Sequence, residues 1–497
     1  MSALERDILA TLMPGFVGFE PPAWLSKAFA AGLTSACVYG NNVRDREQLR
    51  ALGLALRDLA PHALLAIDEE GGEVTRLSYL DGSPYPGAAV MGRIDDEAYS
   101  EEIGRRVARE IFSAGFNLAL GPVADVNSNP LNPVIGTRSF GPTAELASRH
   151  VAAWVRGLEG EGAIACPKHF PGHGDTGQDS HHELPAVAAS RELLTSRDLP
   201  PFGAAFDAGA RSVMTSHIVL TALDPDVPAT FSPLILRDLL RDQLGFAGVI
   251  VSDALDMQGA SGEIGIPEAA VRALAAGCDL LCVGVDTTHE QLIEIVSHVA
   301  RAVADGRIPA ERIADAAERV RALSAASAQA AGSDSSPRDA VTPAEIARIA
   351  DSFAGTADAR AWLAANPGAH VLRVDSEANM AVGFAPWGPF AAAHLPFPGQ
   401  EAQAAAFSAR AEFDPSAAYP TSGVIVIGRE LHRAPAVLAR IDALLAAGTP
   451  VLAVEMGWPV EAQPSEFTTT RYACLSTYGS SALVGAALLD LLESSAS

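Results

Sequence analysis

Short apolar runs alternate with helical patterns from about residue 12 to residue 325, and this alternation leaves few folds open to the chain. Repeated strand and helix patterns are typical of βα units around a parallel sheet. Roughly eight units suit a (β/α)₈ barrel, although a doubly wound open sheet shows the same local pattern. The expected strands are residues 15–19, 36–39, 64–67, 118–123, 163–166, 212–214, 248–251 and 280–283.

Polar residues follow five of these strands, and their spread favours the barrel. An open sheet usually concentrates its site at one switch point, whereas a barrel gathers reactive side chains from many strand ends. We therefore predict an α/β fold with a (β/α)₈ TIM-type barrel and a second, smaller α/β domain. The strand-end residues are Asp68, Asp125, Lys168 with His169, His217 and Asp253.

A domain boundary is expected at residues 326–341, which are rich in Ala, Ser and Asp and lack apolar periodicity. Apolar runs at 371–374, 424–427 and 451–454 then alternate with helical segments, including 482–492. The sequence thus predicts a catalytic barrel at 1–325, a linker at 326–341 and a C-terminal α/β domain at 342–497.

The balance of 35 basic and 60 acidic residues gives a net charge of -25. Such a charge repels nucleic acid and anionic membranes, so neither is an expected partner. The first residues lack a basic segment followed by an apolar one, and no apolar run is long enough to span a bilayer. We expect a cytoplasmic protein whose five scattered cysteines are reduced thiols. The oligomeric state is left open.

The most polar stretch of the barrel half is residues 168–182, which hold four of the twelve histidines. Within it, Asp179 stands two residues before His181, close enough in a turn to orient the imidazole and raise its proton affinity. His181 is therefore a candidate acid/base. An isolated Asp-x-His is more often an Asx-type turn with a solvated histidine.

Asp253 follows an apolar strand pattern, where a carboxylate can attack the anomeric carbon of a sugar and form a covalent intermediate. An aspartate at a strand end can equally cap the next helix. The assignment of Asp253 as a nucleophile therefore depends on the polar residues predicted at the other strand ends.

Metal binding by His169, His173, His181 and His182 is the rival reading of this stretch. None of their spacings matches a helical zinc signature, and the intervening glycines and proline argue against a helix. We expect neither a metal nor another cofactor.

Donors and acceptors of the kind that a sugar needs also occur before this stretch, although the run at Asp68 could be a structural turn. Asp68 begins the run Asp-Glu-Glu-Gly-Gly, Arg76 follows one short segment later, and Arg138 lies in Gly-Thr-Arg-Ser-Phe-Gly. Planar guanidinium and carboxylate groups bind vicinal hydroxyls well, although each alone is more often part of a surface ion pair.

Together these motifs resemble glycoside hydrolase family 3, and more narrowly its β-N-acetylglucosaminidase branch. The resemblance covers most of residues 12–325 and rests on five ordered motifs, of which the block from Lys168-His169 to Asp179-Ser180-His181 is specific to that branch. That block contains two of the motifs, 168–176 and 179–181, and the other three are 67–72, 138–141 and 252–257. Glu69 stands where many relatives have glutamine, and His182 is a less usual neighbour.

The resemblance implies a retaining enzyme with Asp253 as nucleophile, His181 as acid/base and Asp179 as the partner of His181. The terminal N-acetylglucosamine would be bound by Asp68, Arg76, Arg138, Lys168 and His169. The implied substrate is a small carbohydrate, a muropeptide-like or chitooligosaccharide fragment, with peptidoglycan recycling as the role. Two alternatives remain: a phosphorylase in which phosphate replaces water, and a sugar-binding protein without turnover.

Overall fold

The computed structural model describes residues 1–178, 184–262, 264–330, 341–376, 381–383, 385–392, 401–412, 423–460 and 468–494. The chain divides into two compact units. Unit 1 comprises Met1–Glu70, Asp96–Ile135 and Ser139–Asp339, and unit 2 comprises Gly71–Asp95, Gly136–Arg138 and Ala340–Ser497. Residues 326–330 of the predicted linker end a helix, Ala310–Ala330, and residues 331–340 lie outside the described residues. The domain limits drawn from the sequence stay a prediction.

Unit 1 contains a closed ring of eight parallel strands within its described residues. Hydrogen bonds join β1 to β10, β2 through β5 in order, and β7 to β9. The ring closes through the parallel bridges Phe170 to Thr215 and Val251 to Leu280, and through Ser35 Oγ, which donates to Leu12 O. The strands of unit 1 are β1 (Leu12–Pro14), β2 (Ser35–Val38), β3 (Leu64–Ile67), β4 (Leu118–Ala119), β5 (Ile164–Ala165), β6 (Ala186–Val187), β7 (Ser212–Met214), β8 (Val219–Leu220), β9 (Val249–Val251) and β10 (Leu281–Gly284). Strands β6 and β8 pair outside the ring.

This ring confirms the predicted TIM-type barrel. Most expected strands differ from the observed ones only at their ends, but the expected strand at 15–19 is wrong, because β1 ends at Pro14. Gly18 has φ +119°, and the buried Asn42 side chain donates to the carbonyls of Phe16 and Gly18. Residues 15–19 therefore form a loop, and after Gly15 side chains hold its backbone carbonyls.

Apolar side chains fill the barrel interior, and helices cover its outside. Met13, Leu64, Leu118 and Val251 are among the buried members of the interior cluster. Side-chain caps begin several of the helices; Asp45, for example, accepts from Gln48 N. The helices of four or more residues in unit 1 are Ala3–Ala10, Ala23–Ala31, Arg46–Leu59, Glu97–Ser113, Ala144–Gly160, Leu194–Asp198, Pro200–Asp207, Leu234–Gln243, Gln258–Ser261, Ile266–Ala276, His289–Ala304 and Ala310–Ala330.

Unit 2 is a smaller α/β unit around a parallel sheet, as the sequence predicted. The strand order is β12-β11-β13-β14-β15, with β11 (His370–Val374), β12 (Ala411–Glu412), β13 (Val424–Gly428), β14 (Val451–Glu455) and β15 (Tyr472–Ser476). Its core includes Val90 from the early segment beside Trp362 and Phe407 from the late one. The helices of four or more residues are Ala88–Ile94, Pro343–Asp351, Thr356–Ala365, Gly388–Ala392, Glu401–Arg410, Pro435–Ala446 and Ala482–Ser494.

Among the described residues, none of the helices combines the length and the apolar character that a bilayer crossing requires.

Candidate active site

The carboxyl ends of the barrel strands carry the polar residues singled out in the sequence. Asp253 lies two residues after β9, partly exposed. Its Oδ1 accepts from the backbone N–H of Ala254 at 2.8 Å, and its own N–H donates to Thr215 Oγ1 at 3.3 Å. The carboxylate is therefore fixed at the point where the strand leaves the core.

His217, which follows β7, supports the same strand end. This side chain is fully buried, and its Nε2 lies 3.0 Å from the carbonyl oxygen of Ala254, next to Asp253. Its Nδ1 lies 3.0 Å from Thr230 Oγ1. Because both ring nitrogens have a partner, His217 holds the backbone at Ala254 in place next to Asp253.

Lys168 forms a buried cluster with two carboxylates that follow β3. Its Nζ lies 3.1 Å from Asp68 Oδ1 and 2.7 Å from Glu70 Oε1. The lysine side chain is 4% exposed, and those of Asp68 and Glu70 are 13% and 6% exposed. Burial makes such a cluster costly to break, so its polar atoms are held in place before a ligand arrives. The sequence alone indicates no role for Glu70, because its contact with Lys168 joins residues far apart in the chain.

Asp125, which lies after β4, is the hydrogen-bonding centre of the histidine-rich loop. Its Oδ2 accepts from His169 Nδ1 at 2.7 Å, and its Oδ1 accepts from the backbone N–H groups of His169 and His173 at 3.1 and 2.7 Å. Asp125 is fully buried. Sequence reasoning placed it at a strand end without a function, because nothing local shows which donors it meets.

His173 is the second buried imidazole of this loop. Burial, and to a smaller extent the neighbouring His169, lower the pKa of His173 to about 4, although Asp125 and Asp253 act in the opposite direction. Its Nδ1 lies 2.9 Å from Thr176 Oγ1. His173 is therefore a neutral, structural histidine near neutral pH.

The loop from His173 to Thr176 is fastened to the segment after β4. Asn132 Nδ2 donates to the carbonyl of His173 at 2.8 Å, and Asn129 Nδ2 donates to the carbonyl of Thr176 at 3.2 Å. At Gly174 the two segments approach so closely that an added Cβ would lie 1.7 Å from the carbonyl oxygen of Val126. The glycine is thus required by close contact.

The charges of the site residues act on Cys166, which is buried beneath them at the end of β5. Burial is the main cause that raises the pKa of this thiol to about 12; Asp253 and Asp68 act in the same direction, and Ser212 and Lys168 act in the opposite one. The thiol of Cys166 thus lies within electrostatic reach of Lys168, Asp253 and Asp68.

Four residues predicted from the sequence are not among these strand-end groups of unit 1: Arg76, Arg138, Asp179 and His181. Arg76 and Arg138 belong to unit 2, where Arg76 Nη2 donates to the carbonyl of Ala381 at 2.8 Å. Arg76 is 5% exposed and Arg138 is 8% exposed. Asp179 and His181 lie outside the described residues.

The comparisons with known proteins agree with this geometry. A family model described as the glycosyl hydrolase family 3 N terminal domain matches residues 20–323. A curated beta-hexosaminidase of Chromobacterium violaceum is 40% identical over 254 residues, which cover 50% of this chain and 70% of that protein.

Two solved structures are also similar. One is a glycoside hydrolase family 3 beta-N-acetylglucosaminidase from Paenibacillus sp. str. FPU-7, with a TM-score of 0.81 and 28% identity over 100% of this chain and 97% of that chain. The other is NagZ from Neisseria gonorrhoeae in complex with N-trifluoroacetyl-D-glucosamine, with a TM-score of 0.52 and 32% identity over 65% of this chain and 97% of that chain. The matched family model spans more than half of the chain and includes Asp68, Asp125, Lys168, His169 and Asp253. The chain therefore belongs to glycosyl hydrolase family 3 and is a glycoside hydrolase.

Proposed function

We propose that this protein is a retaining β-N-acetylhexosaminidase that releases terminal β-linked N-acetylglucosamine. The observation that carries the proposal is the fixed carboxylate of Asp253 at a barrel strand end, the same end of the barrel at which Lys168, Asp68 and His169 are buried or nearly buried. The substrate class is supported by the similarity to a beta-hexosaminidase and to beta-N-acetylglucosaminidase structures.

In the first step, a carboxylate oxygen of Asp253 attacks the anomeric carbon while the bond to the leaving oxygen breaks. His181, oriented by Asp179, gives its proton to that oxygen, and the sugar remains as an ester on Asp253. In the second step, water attacks the anomeric carbon, His181 takes the proton of that water, and the ester bond breaks to restore the Asp253 carboxylate. A histidine thus takes the place of the second carboxyl group found in most glycosidases.

Sugar binding is assigned to Asp68, Arg76, Arg138, Lys168 and His169. Lys168 offers ammonium protons and Asp68 offers a carboxylate oxygen, and their mutual contact at 3.1 Å presents a donor and an acceptor side by side. Neighbouring sugar hydroxyls each donate one hydrogen bond and accept others, so such a pair matches them.

The proposal extends to muropeptide-like or chitooligosaccharide substrates, a cytoplasmic location and a role in peptidoglycan recycling. The substrates and the role are what the motifs shared with the β-N-acetylglucosaminidase branch imply. The acidic chain, with a net charge of -25, suits a neutral or cationic substrate better than a polyanion.

The test is turnover of an aryl N-acetyl-β-glucosaminide by the wild-type protein and by Asp253→Ala. We expect the variant to lose essentially all activity, and unchanged turnover would remove Asp253 from the mechanism. Mass spectrometry of products from a defined muropeptide fragment, with and without phosphate, tests substrate and acceptor together. Free N-acetylglucosamine under both conditions supports hydrolysis, whereas a sugar phosphate supports the phosphorylase, and binding without product supports a sugar-binding protein.

A further inference from the structure

Three large apolar side chains are exposed on the loops that follow β1 and β10. Val17 is 65% exposed, Phe19 is 43% exposed and Val285 is 38% exposed. We refer to these three residues as the apolar rim patch. They follow the carboxyl ends of two paired parallel strands, the same end of the barrel as Asp253.

Buried amide side chains hold the first of these loops in place. Asn42, which is fully buried, donates to the carbonyls of Phe16 and Gly18 at 2.7 and 2.9 Å. Gln48, which is 7% exposed, donates to the carbonyl of Phe19 at 2.9 Å. The backbone beneath the exposed side chains is therefore fixed, and a ligand that meets them pays little ordering cost.

The second loop is held beside the first by the residue next to Asn42. Asn41 Nδ2 donates to the carbonyl of Val285 at 3.3 Å, while Gly15 N donates to the carbonyl of Gly284 at 2.9 Å. Because consecutive Cα atoms are about 3.8 Å apart, adjacent asparagines bring the two loops together. The patch is thus one surface made from two loops.

The patch is also connected to the loop of the nucleophile. Asp256 Oδ2 accepts from Val285 N at 2.9 Å, and Leu255 N donates to the carbonyl of Cys282 at 2.8 Å. Burial raises the pKa of Asp256, and the charge of Asp253 contributes to that rise, so the two carboxylates lie within electrostatic reach. Asp256, three residues after Asp253 in the same loop, therefore holds the backbone of Val285.

We propose that the apolar rim patch is the subsite for the aglycone, the part of the substrate on the leaving side of the glycosidic bond. The occupant is a second pyranose ring, which offers an apolar face of C–H groups to Phe19 and Val17 and hydroxyls to the exposed Asn41. Small-ligand sites commonly combine apolar and aromatic surface with a few polar groups in this way. This inference rests on the proposed function.

The size of the patch favours one ring over a protein partner. Stable protein interfaces bury about 800 Å² on each partner, whereas three part-exposed side chains present only a small fraction of that area. A single sugar ring is small enough to be covered by three side chains. A second copy of the chain is the alternative occupant, and the test below distinguishes it.

A contact to the aglycone affects only the steps in which the aglycone is still present. Phe19→Ala should lower kcat/KM for N,N'-diacetylchitobiose about tenfold, because apolar contact to the second ring is lost. Phe19→Trp, which keeps a ring, should retain near wild-type kcat/KM. Hydrolysis of the glycosyl-enzyme, measured as the steady-state rate after the burst with a 2,4-dinitrophenyl N-acetyl-β-glucosaminide, should stay within about twofold of wild type in both variants.

Leu59→Ala is the matched control. Leu59 is also 43% exposed, but it ends the helix Arg46–Leu59 that leads to the amino end of β3, so both rates should be unchanged. Wild-type kcat/KM for diacetylchitobiose in Phe19→Ala would overturn the inference, as would an equal loss in glycosyl-enzyme hydrolysis. A change in mass by light scattering that is specific to Phe19→Ala would instead assign the patch to contact between copies. Activity in Asp253→Ala would contradict the proposed function separately.

Discussion

Asp125 and His169 are joined twice, by the backbone N–H of His169 to Oδ1 at 3.1 Å and by Nδ1 to Oδ2 at 2.7 Å. An ionised carboxylate only accepts hydrogen bonds, so Nδ1 carries a proton and Nε2 is the nitrogen that can meet another group. Asp125 thus selects both the ring orientation and the tautomer of His169.

Asp125→Asn should therefore weaken sugar binding while the fold is kept. An amide can present its N–H₂ to Nδ1 and favour the other tautomer, so we expect kcat/KM to fall by roughly 10- to 100-fold, the loss seen when the residue that orients a metal-binding histidine is replaced. ¹⁵N chemical shifts of the imidazole would report the tautomer. Asp279→Asn, a buried carboxylate paired with Arg241 before β10, is the control: lower stability without a tautomer change at His169 is expected.

Lys168→Met should destabilise the fold as well as abolish activity. Removing the ammonium leaves the carboxylates of Asp68 and Glu70 buried without that partner, a loss that costs about 3–5 kcal/mol in comparable buried pairs. Urea unfolding measures this loss. The double variant Lys168→Met with Glu70→Gln should recover part of the stability and none of the activity.

Arg105→Met provides the comparison for that experiment. Arg105 is 35% exposed and pairs with Glu102 at 3.3 Å on the surface of a helix. Exposed pairs contribute about 0–1 kcal/mol, so this variant should unfold within that range of wild type. Similar losses in Arg105→Met and Lys168→Met would contradict the view that burial makes the Lys168 cluster important.

His181→Ala should harm substrates with poor leaving groups more than activated ones. Protonation of the leaving oxygen matters little when the departing phenol is already acidic. We expect a small loss for a dinitrophenyl glycoside and a loss of about 100-fold or more for diacetylchitobiose. Equal losses for both substrates would count against His181 as the acid.

His173 should make the fold sensitive to acid. Burial lowers the pKa of His173 from 6.5 to about 4, so the unfolded chain takes up a proton near pH 6.5 that the folded protein refuses until about pH 4. The stability due to the neutral ring is present above pH 6.5 and is lost as the pH falls toward 4, by about 3 kcal/mol. The difference in unfolding free energy between wild type and His173→Gln should follow this window.

Two glycines of the same loop should respond differently to an added methyl group. At Gly174 a Cβ would lie 1.7 Å from Val126 O, whereas at Gly177 no atom lies within 4 Å of the added Cβ. Gly174→Ala should therefore displace the loop and reduce both melting temperature and activity, and Gly177→Ala should be nearly neutral. Matching melting temperatures for the two variants would show that the close approach at Gly174 is not required.

Much of the barrel could be predicted because each strand carries its own apolar run and its own terminal polar residue. The strand-end positions of Asp68, Lys168 and Asp253 can be predicted in this way, since strand ends of a barrel converge whatever the helices between them contain. The strand expected at 15–19 was wrong because apolar residues in a loop held by Asn42 look like a strand pattern.

Other features depend on partners that are distant in sequence. The contact of Lys168 with Glu70 and the three donors around Asp125 involve residues 44 to 98 positions apart, so no local pattern reports them. For the same reason, the sequence does not show which of the two units Val90 belongs to. An apolar helix position does not indicate which core it will join, and this one joins the core of unit 2.

Unit 2 is built from three separate stretches of chain, and the helix Ala88–Ile94 contacts the helix Pro343–Asp351 within it. A protease nick between residues 330 and 341 would consequently break the polypeptide without releasing a domain. The two fragments would remain joined through the core that Val90 and Trp362 share. The position of a residue along the chain therefore does not decide which unit it belongs to. A gene truncated at that boundary would encode Val90 without Trp362 and the other late residues of its core.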